Sequence, residues 1–132
     1  MNSTVVELIS AVERLEITVD ADELSALLLL RETLLAKAMA PLRAFDELQL
    51  YQLSKARSSQ QFLQRAAGLS SIDAGLSVTM ARKVRSMPLT EAAWLAGTLP
   101  SGHVRAIVAN VGARVAERYS ADESDVLRLS RL

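Results

Sequence analysis

The sequence predicts an all-α fold, a bundle of about six or seven helices containing a helix-turn-helix-like unit. Apolar residues recur at three- and four-residue spacing along most of the chain, the period of an amphipathic helix. No segment keeps a two-residue alternation for long, so a half-buried strand has no support. Ser, Asp, Gly and Pro fall between the periodic stretches, where they start and stop helices.

The first helix is expected from about Ser3 to Glu16, with Val5, Leu8, Ile9, Val12 and Leu15 on one face. Asp20 or Asp22 can cap a second, because a carboxylate there accepts from an unpaired backbone N–H of the first turn. It continues through Leu24, Leu27, Leu28, Leu34, Leu35 and Ala38. Its richest stretch, Leu24 to Leu35, is broken by Arg31 and Glu32. It falls short of the ~20 apolar residues of a membrane span and reads as a helix buried on most sides. Pro41 lacks the N–H and clashes with the preceding turn, so a kink or break is expected there. The pattern resumes with Leu42, Phe45, Leu48 and Leu53 and fades near Arg57.

Ser58 or Ser59 caps a short helix that Gly68 stops in a left-handed conformation. Ser70 or Ser71 caps the next helix, over residues 71–86. Pro88 ends it and opens another over Leu89 to Ala96, closed by Gly97. Ser101 is expected to cap a helix from Gly102 to about Val115, with Val104, Ile107, Val108, Val111 and Val115 on its apolar face. Asp122 or Ser124 starts a last helix still running at Leu132. Its abrupt end in LRLSRL points to a cut chain or to a partner that follows.

These elements suit a single helical domain over residues 1–132. It divides into an acidic helical framework (1–57), a basic helix-turn-helix-like region (58–118) and the start of a further helix (119–132). Half the residues are apolar and only five are aromatic, so the core is aliphatic. The formal net charge of zero hides an asymmetry. Residues 1–50 hold four Lys/Arg against nine Asp/Glu, a net −5, and residues 51–132 hold eleven against six, a net +5. One reading is scatter between solvated faces. The other is an acidic framework joined to a basic contact half. There is no Cys, which excludes disulfides and Cys-based metal sites and fits a reducing, cytoplasmic setting. The N-terminus shows no basic stretch followed by an apolar run, so a secretory signal is not expected.

Placed on a wheel, residues 71–86 put Leu76, Met80, Val84 and Met87 on one side, with Ala81 at its edge. Opposite lie Ser71, Gly75, Thr79, Arg82 and Ser86, flanked by Arg85 and Lys83, with Asp73 pointing away. This second face is small, hydroxylated and basic, and the helix itself places no carboxylate there. Such a face can lie close to phosphates while Arg and Lys supply charge. The alternative is an ordinary solvated face of an amphipathic helix. Leu63, Ala67 and Leu69 supply apolar positions around Gly68, as a helix-turn-helix requires. The inner position of the first helix, usually small, is Gln64.

Residues 58–115 carry Phe62-Leu63, Gly68-Leu69-Ser70, Ala81-Arg82, Met87-Pro88, Trp94-Leu95, Gly97 and Ser101-Gly102-His103-Val104-Arg105. That series resembles the domain of unknown function 222 family, also called the thirteen-E-twelve repeat family. Its pattern runs from a short helix through a Gly-Leu-Ser turn to a long helix bearing Ala-Arg. A Leu-Pro-like step, a helix ending in Gly and a Ser-x-x-His-Val-Arg-like opening follow. In many such proteins this region precedes a C-terminal HNH nuclease module. The chain stops before the later helices and the nuclease. Residues 60–110 are also similar in layout to the helix-turn-helix of ParB-type partition proteins, through Gly97-Thr98-Leu99-Pro100-Ser101-Gly102-His103-Val104-Arg105. Between Gly68 and Pro88 the chain is about one helical turn longer than that pattern. The first resemblance implies a DNA-binding or targeting region of the kind that precedes a nuclease, and the second implies DNA binding and not partition.

His103 is the only histidine, whereas an HNH site needs one to bind metal and another to activate water. Near a helix N-terminus it fits local capping or packing, or a phosphate contact aided by Arg105. Trp94, amid Ala92, Ala93, Leu95 and Ala96, fits the core, with a surface anchor as the alternative. Arg114 and Arg118 add basic charge. Asp122, Glu123 and Asp125 fit a helix N-terminus better than a metal cluster.

The expected function is a non-catalytic DNA-binding or targeting domain with double-stranded DNA as partner, no cofactor, no metal and no membrane. Arg82, Lys83, Arg85 and Arg105 would meet phosphates, while Ser71, Gly75 and Thr79 would let the helix sit close to the groove. Four such contacts imply a salt slope of about −3.6 in log K against log salt. The alternative is a helical protein–protein interaction or oligomerisation module, pairing with a second copy or with a missing C-terminal domain.

Overall fold

A computed structural model of the chain describes residues 1–110. Within them the chain forms six α-helices and two short 3-10 helices, with no strand. The helices are α1 (Ser3–Arg14), α2 (Ala21–Glu47), α3 (Ser59–Ala66), α4 (Ser71–Lys83), α5 (Pro88–Leu95) and α6 (Ser101–Asn110). The 3-10 turns are Leu50–Ser54 and Val84–Ser86. The all-α class is therefore as the sequence predicts. The expected run of the sixth helix through Val111 and Val115, the cations Arg114 and Arg118, and the last helix with Asp122, Glu123, Ser124 and Asp125 lie outside the described residues.

The contacts divide the described residues into two compact units, Met1–Leu30 and the part from Arg31 onward, with the division inside α2. In the first unit, the Asn2 side chain caps α1 by accepting from the Thr4 N–H at 2.8 Å. Asp20 caps α2, its carboxylate accepting from the Glu23 N–H at 2.9 Å, while the Thr18 hydroxyl donates to the Glu23 carboxylate. Val5, Ile9, Val12 and Leu15 share a face as expected, and that face is exposed.

The leucine-rich part of α2 departs from expectation. Leu24, Leu28, Leu29, Leu30 and Leu34 are exposed, Leu29 by 64%. A run of leucines apolar on every side cannot all turn into a one-sided contact, which covers only an arc of a helix. The buried residues of α2 come later, at Ala36 and Met39. Pro41 also departs, since α2 runs unbroken through it. Pro41 and Lys37 are both exposed, so the Lys37 carbonyl that loses its helix donor sits on the solvent side. Leu35 and Leu42, on either side of the interruption, pack against the core and hold α2 together there.

In the second unit Ala36 and Met39 meet Met80, Ala81, Val84, Met87, Trp94, Leu99, Val104, Ile107 and Val108 in one aliphatic core around a single indole. Trp94 is 2% exposed, so its place is the core and not the surface. Burying it removes ~150–250 Å² from water, worth about 4–6 kcal/mol as an upper bound. Local signals set the connections. Gly97 (φ 77°) follows α5 in a Schellman motif, with the Thr98 N–H donating to the Ala93 carbonyl and the Gly97 N–H to the Trp94 carbonyl. Pro88 opens α5 at its first position. Ser101, expected as a cap, is instead the first residue of α6. The Pro100 carbonyl accepts from the His103 and Val104 N–H groups, and the Ser101 N–H donates to the Glu32 carboxylate of α2 at 3.2 Å. A carboxylate there also complements the positive end of the helix dipole. Among the described residues no helix is long and apolar enough to cross a membrane.

Candidate nucleic-acid interface

The α3–turn–α4 unit begins at Ser58, whose Oγ accepts from the Gln61 N–H at 3.1 Å. Gly68 (φ 68°) takes the left-handed conformation that ends α3 without a Cβ penalty. Two residues later Ser70 caps α4, its Oγ accepting from the Asp73 N–H at 3.0 Å. Four residues, 67–70, thus join two helices that pack on each other. Ala74, Val78, Met80 and Ala81 turn inward, and the opposite face of α4 meets solvent. Gln64, in place of the usual small residue, is half-buried.

Ser71, Gly75, Thr79 and Arg82 come together along one shallow groove of about 560 Å³, which Ser58 and Gln60 of the α3 side also line. Gln60 explains the glycine. Its Nε2 donates to the Ser71 carbonyl at 3.0 Å and to the Ser71 Oγ at 3.2 Å. A Cβ added at Gly75 would lie 3.3 Å from that same Nε2. Gly75 is therefore half-buried beneath Gln60, and the close approach it permits is between α3 and α4.

The cations are placed differently from the helical wheel. Arg82 grips Asp46 of α2 at two points, Nε to Oδ2 at 2.7 Å and Nη2 to Oδ1 at 3.0 Å. The Ser59 hydroxyl donates to the same Asp46 Oδ1 at 2.7 Å. The Arg82 hydrogen bonds hold the Asp46 carboxyl below its ordinary range against the opposing effect of burial, with Ser59 helping; Asp46 in turn raises the Arg82 guanidinium. Arg85 pairs with Glu47 at 2.6 Å, both side chains being well exposed. The α4 face thus has carboxylates beside it, supplied by another helix, and the expectation of a purely basic surface is corrected. Lys83 is bonded inward: its Nζ donates to the Val108 carbonyl at 3.1 Å in a partly buried contact that ties α4 to α6. Arg105, on α6, lies away from the groove and lines a different cavity with Arg31. His103 is exposed in the first turn of α6.

Asp46, Glu47, Ser59 and Gln60 are the site's unforeseen members. One signal for the first two was present. Asp46-Glu47 end α2, where the helix dipole disfavours carboxylates, so cations from elsewhere in the fold were needed. Arg43 completes the pattern. It donates to the Ala81 carbonyl near the end of α4 at 3.1 Å and to Glu91 in the first turn of α5 at 3.2 Å. Among the described residues no cluster of three or more His, Asp or Glu is placed to hold a metal ion.

The chain matches no protein-family model, no curated protein and no solved structure.

Proposed function

We propose that the chain is a non-catalytic DNA-binding or targeting domain that lays the outer face of α4 on duplex DNA, as the region preceding an HNH nuclease module would. The observation that carries this reading is the gathering of Ser71, Gly75, Thr79 and Arg82 on one solvent-facing groove of a helix–turn–helix unit. Arg82 on the groove and Arg85, one residue into the 3-10 turn that follows α4 and outside the groove lining, supply the phosphate contacts, at 60% and 68% side-chain exposure. Each guanidinium keeps donors beyond those its carboxylate takes, since Arg carries five. Pairing with Asp46 and Glu47 weakens the local field, so duplex affinity is modest and salt-sensitive. Lys83, bonded inward, and Arg105, on α6 where it lines a separate cavity with Arg31, drop out of the contact set.

Ile72 tests this surface without touching an ion pair. It lines the groove in the first turn of α4 and is 75% exposed. Ile72→Glu adds an anion where the helix dipole favours one, so the fold is kept. Fluorescence anisotropy on a labelled duplex should show a loss of affinity of tenfold or more. Unchanged affinity sinks the α4 interface.

A second reading rests on the exposed leucines of α2 together with the exposed Val5, Ile9 and Val12 of α1. A helical interaction module pairs such faces with another chain. Light scattering separates the readings, because a monomer at all concentrations argues against self-pairing.

A further inference from the structure

A cavity of about 450 Å³ lies against the Asp73, Ser77 and Met80 side of α4, with Leu76 bordering both it and the groove. Leu34 and Leu35 of α2, Leu69 of the α3–α4 turn, and Leu76 and Met80 of α4 give it an apolar floor. Its polar lining is Arg31 of α2, Ser77 of α4 and Ser101 and Arg105 of α6, and Asp73 is the single carboxylate. The three ion pairs among the described residues use neither Arg31 nor Arg105 nor Asp73. The lining therefore carries a net charge of +1, and among the described residues neither guanidinium is committed to an ion pair.

That combination selects its ligand. A purely apolar molecule leaves both guanidinium groups unused, and a small inorganic anion leaves the leucines wet. A cation meets net repulsion. We infer that this cavity binds a small monocarboxylate with an apolar body, its carboxylate taken by Arg31 and Arg105 and its chain laid on Leu35, Leu69, Leu76 and Met80. Arg suits a carboxylate because its fork of donors matches the two oxygens. The size and the mostly apolar lining with a few polar groups are those of small-molecule pockets. The inference does not rest on α4 meeting DNA.

The test is calorimetric titration of the whole chain with three eight-carbon probes: octanoate, octanol and octylammonium. Octanoate should bind at least tenfold more tightly than either of the others. The exposed positions let Arg31→Ala and Arg105→Ala fold, which circular dichroism checks, and together they should reduce octanoate to the level of octanol. Amide chemical-shift changes on octanoate addition should centre on Leu69, Asp73, Ser77 and Ser101. Equal binding of octylammonium, full octanoate affinity in the double variant, shifts centred elsewhere, or no heat at millimolar octanoate would each overturn the inference.

Discussion

Arg82 and Asp46 meet in a two-point ion pair that fastens the end of α2 to α4 across 36 positions of sequence. The Asp46 side chain is only 12% exposed, while that of Arg82 is 60% exposed. The pair is thus asymmetric: Asp46 needs its partner, and Arg82 keeps one side toward water. Removing the arginine leaves a covered carboxylate with Ser59 as its remaining donor. Arg82→Ala should cost about 1 kcal/mol, toward the low end for a charged group losing its partner because solvent screens the site. Arg85→Ala, in a pair exposed on both sides, should change stability by less than about 0.5 kcal/mol. Urea unfolding measures both, and Asp46→Asn should remove most of the Arg82→Ala penalty in a double-mutant cycle.

Acid should act through the same carboxylate. The folded Asp46 lies below its ordinary value of 3.8, chiefly through the Arg82 hydrogen bonds. Its contribution is fully present above that unfolded value and is lost as pH falls through the lower, folded one. The Arg82 guanidinium, raised by its hydrogen bonds to Asp46, stays charged throughout this range. Between pH 5 and pH 2 the melting temperature of wild type should therefore fall more steeply than that of Asp46→Asn. Parallel curves would show that Asp46 is not coupled to folding.

Glycines in the α3–α4 unit should separate by conformation. Gly68 sits at φ 68° with open space around its missing Cβ, so Gly68→Ala is disfavoured by backbone strain alone, about 1 kcal/mol. Gly75 is helical, and only the flexible end of Gln60 stands in the way. Gly75→Ala gains up to ~1 kcal/mol of helix propensity and displaces solvent-exposed hydrogen bonds of Gln60 to Ser71. Thermal melts should show Gly68→Ala lowered and Gly75→Ala unchanged or raised. The reverse order would contradict the assigned roles.

Trp94 supplies a core prediction. Its Nε1 is buried without a hydrogen-bond partner among the described residues, a cost already present in the folded state. Trp94→Phe removes that donor while keeping most of the packing. It should be clearly milder than Trp94→Ala, expected near 3–5 kcal/mol. Equal losses by denaturant titration would mean that the indole N–H is not an offsetting cost.

These contrasts show which features the sequence made legible. Ser58, Ser70, Gly68, Pro88 and Gly97 act on bonds within a turn of themselves, so their identity announced the helix ends. Ala36 and Met39 anchor α2 through contacts distant in sequence, and that packing overrode the local signal of Pro41. The leucines of α2 displayed apolarity without a stripe, so no buried face could be read from them. At the candidate site, the α4 face was legible because helical period fixes it. The partners of Arg82, Lys83 and Arg85 were not, since each comes from another helix. Only Asp46-Glu47, at the helix end where carboxylates are disfavoured, hinted at them.

The salt dependence of binding to a random labelled duplex tests the α4 interface most directly. With Lys83 bonded inward and Arg105 placed on α6 beside Arg31, Arg82 and the adjacent Arg85 remain as phosphate contacts. Log K should then fall against log salt with a slope of about −1.8, and Arg85→Ala should bring it to about −0.9. A duplex that fails to bind even at low salt, or a slope that Arg85→Ala leaves unchanged, would contradict DNA recognition by this face of α4.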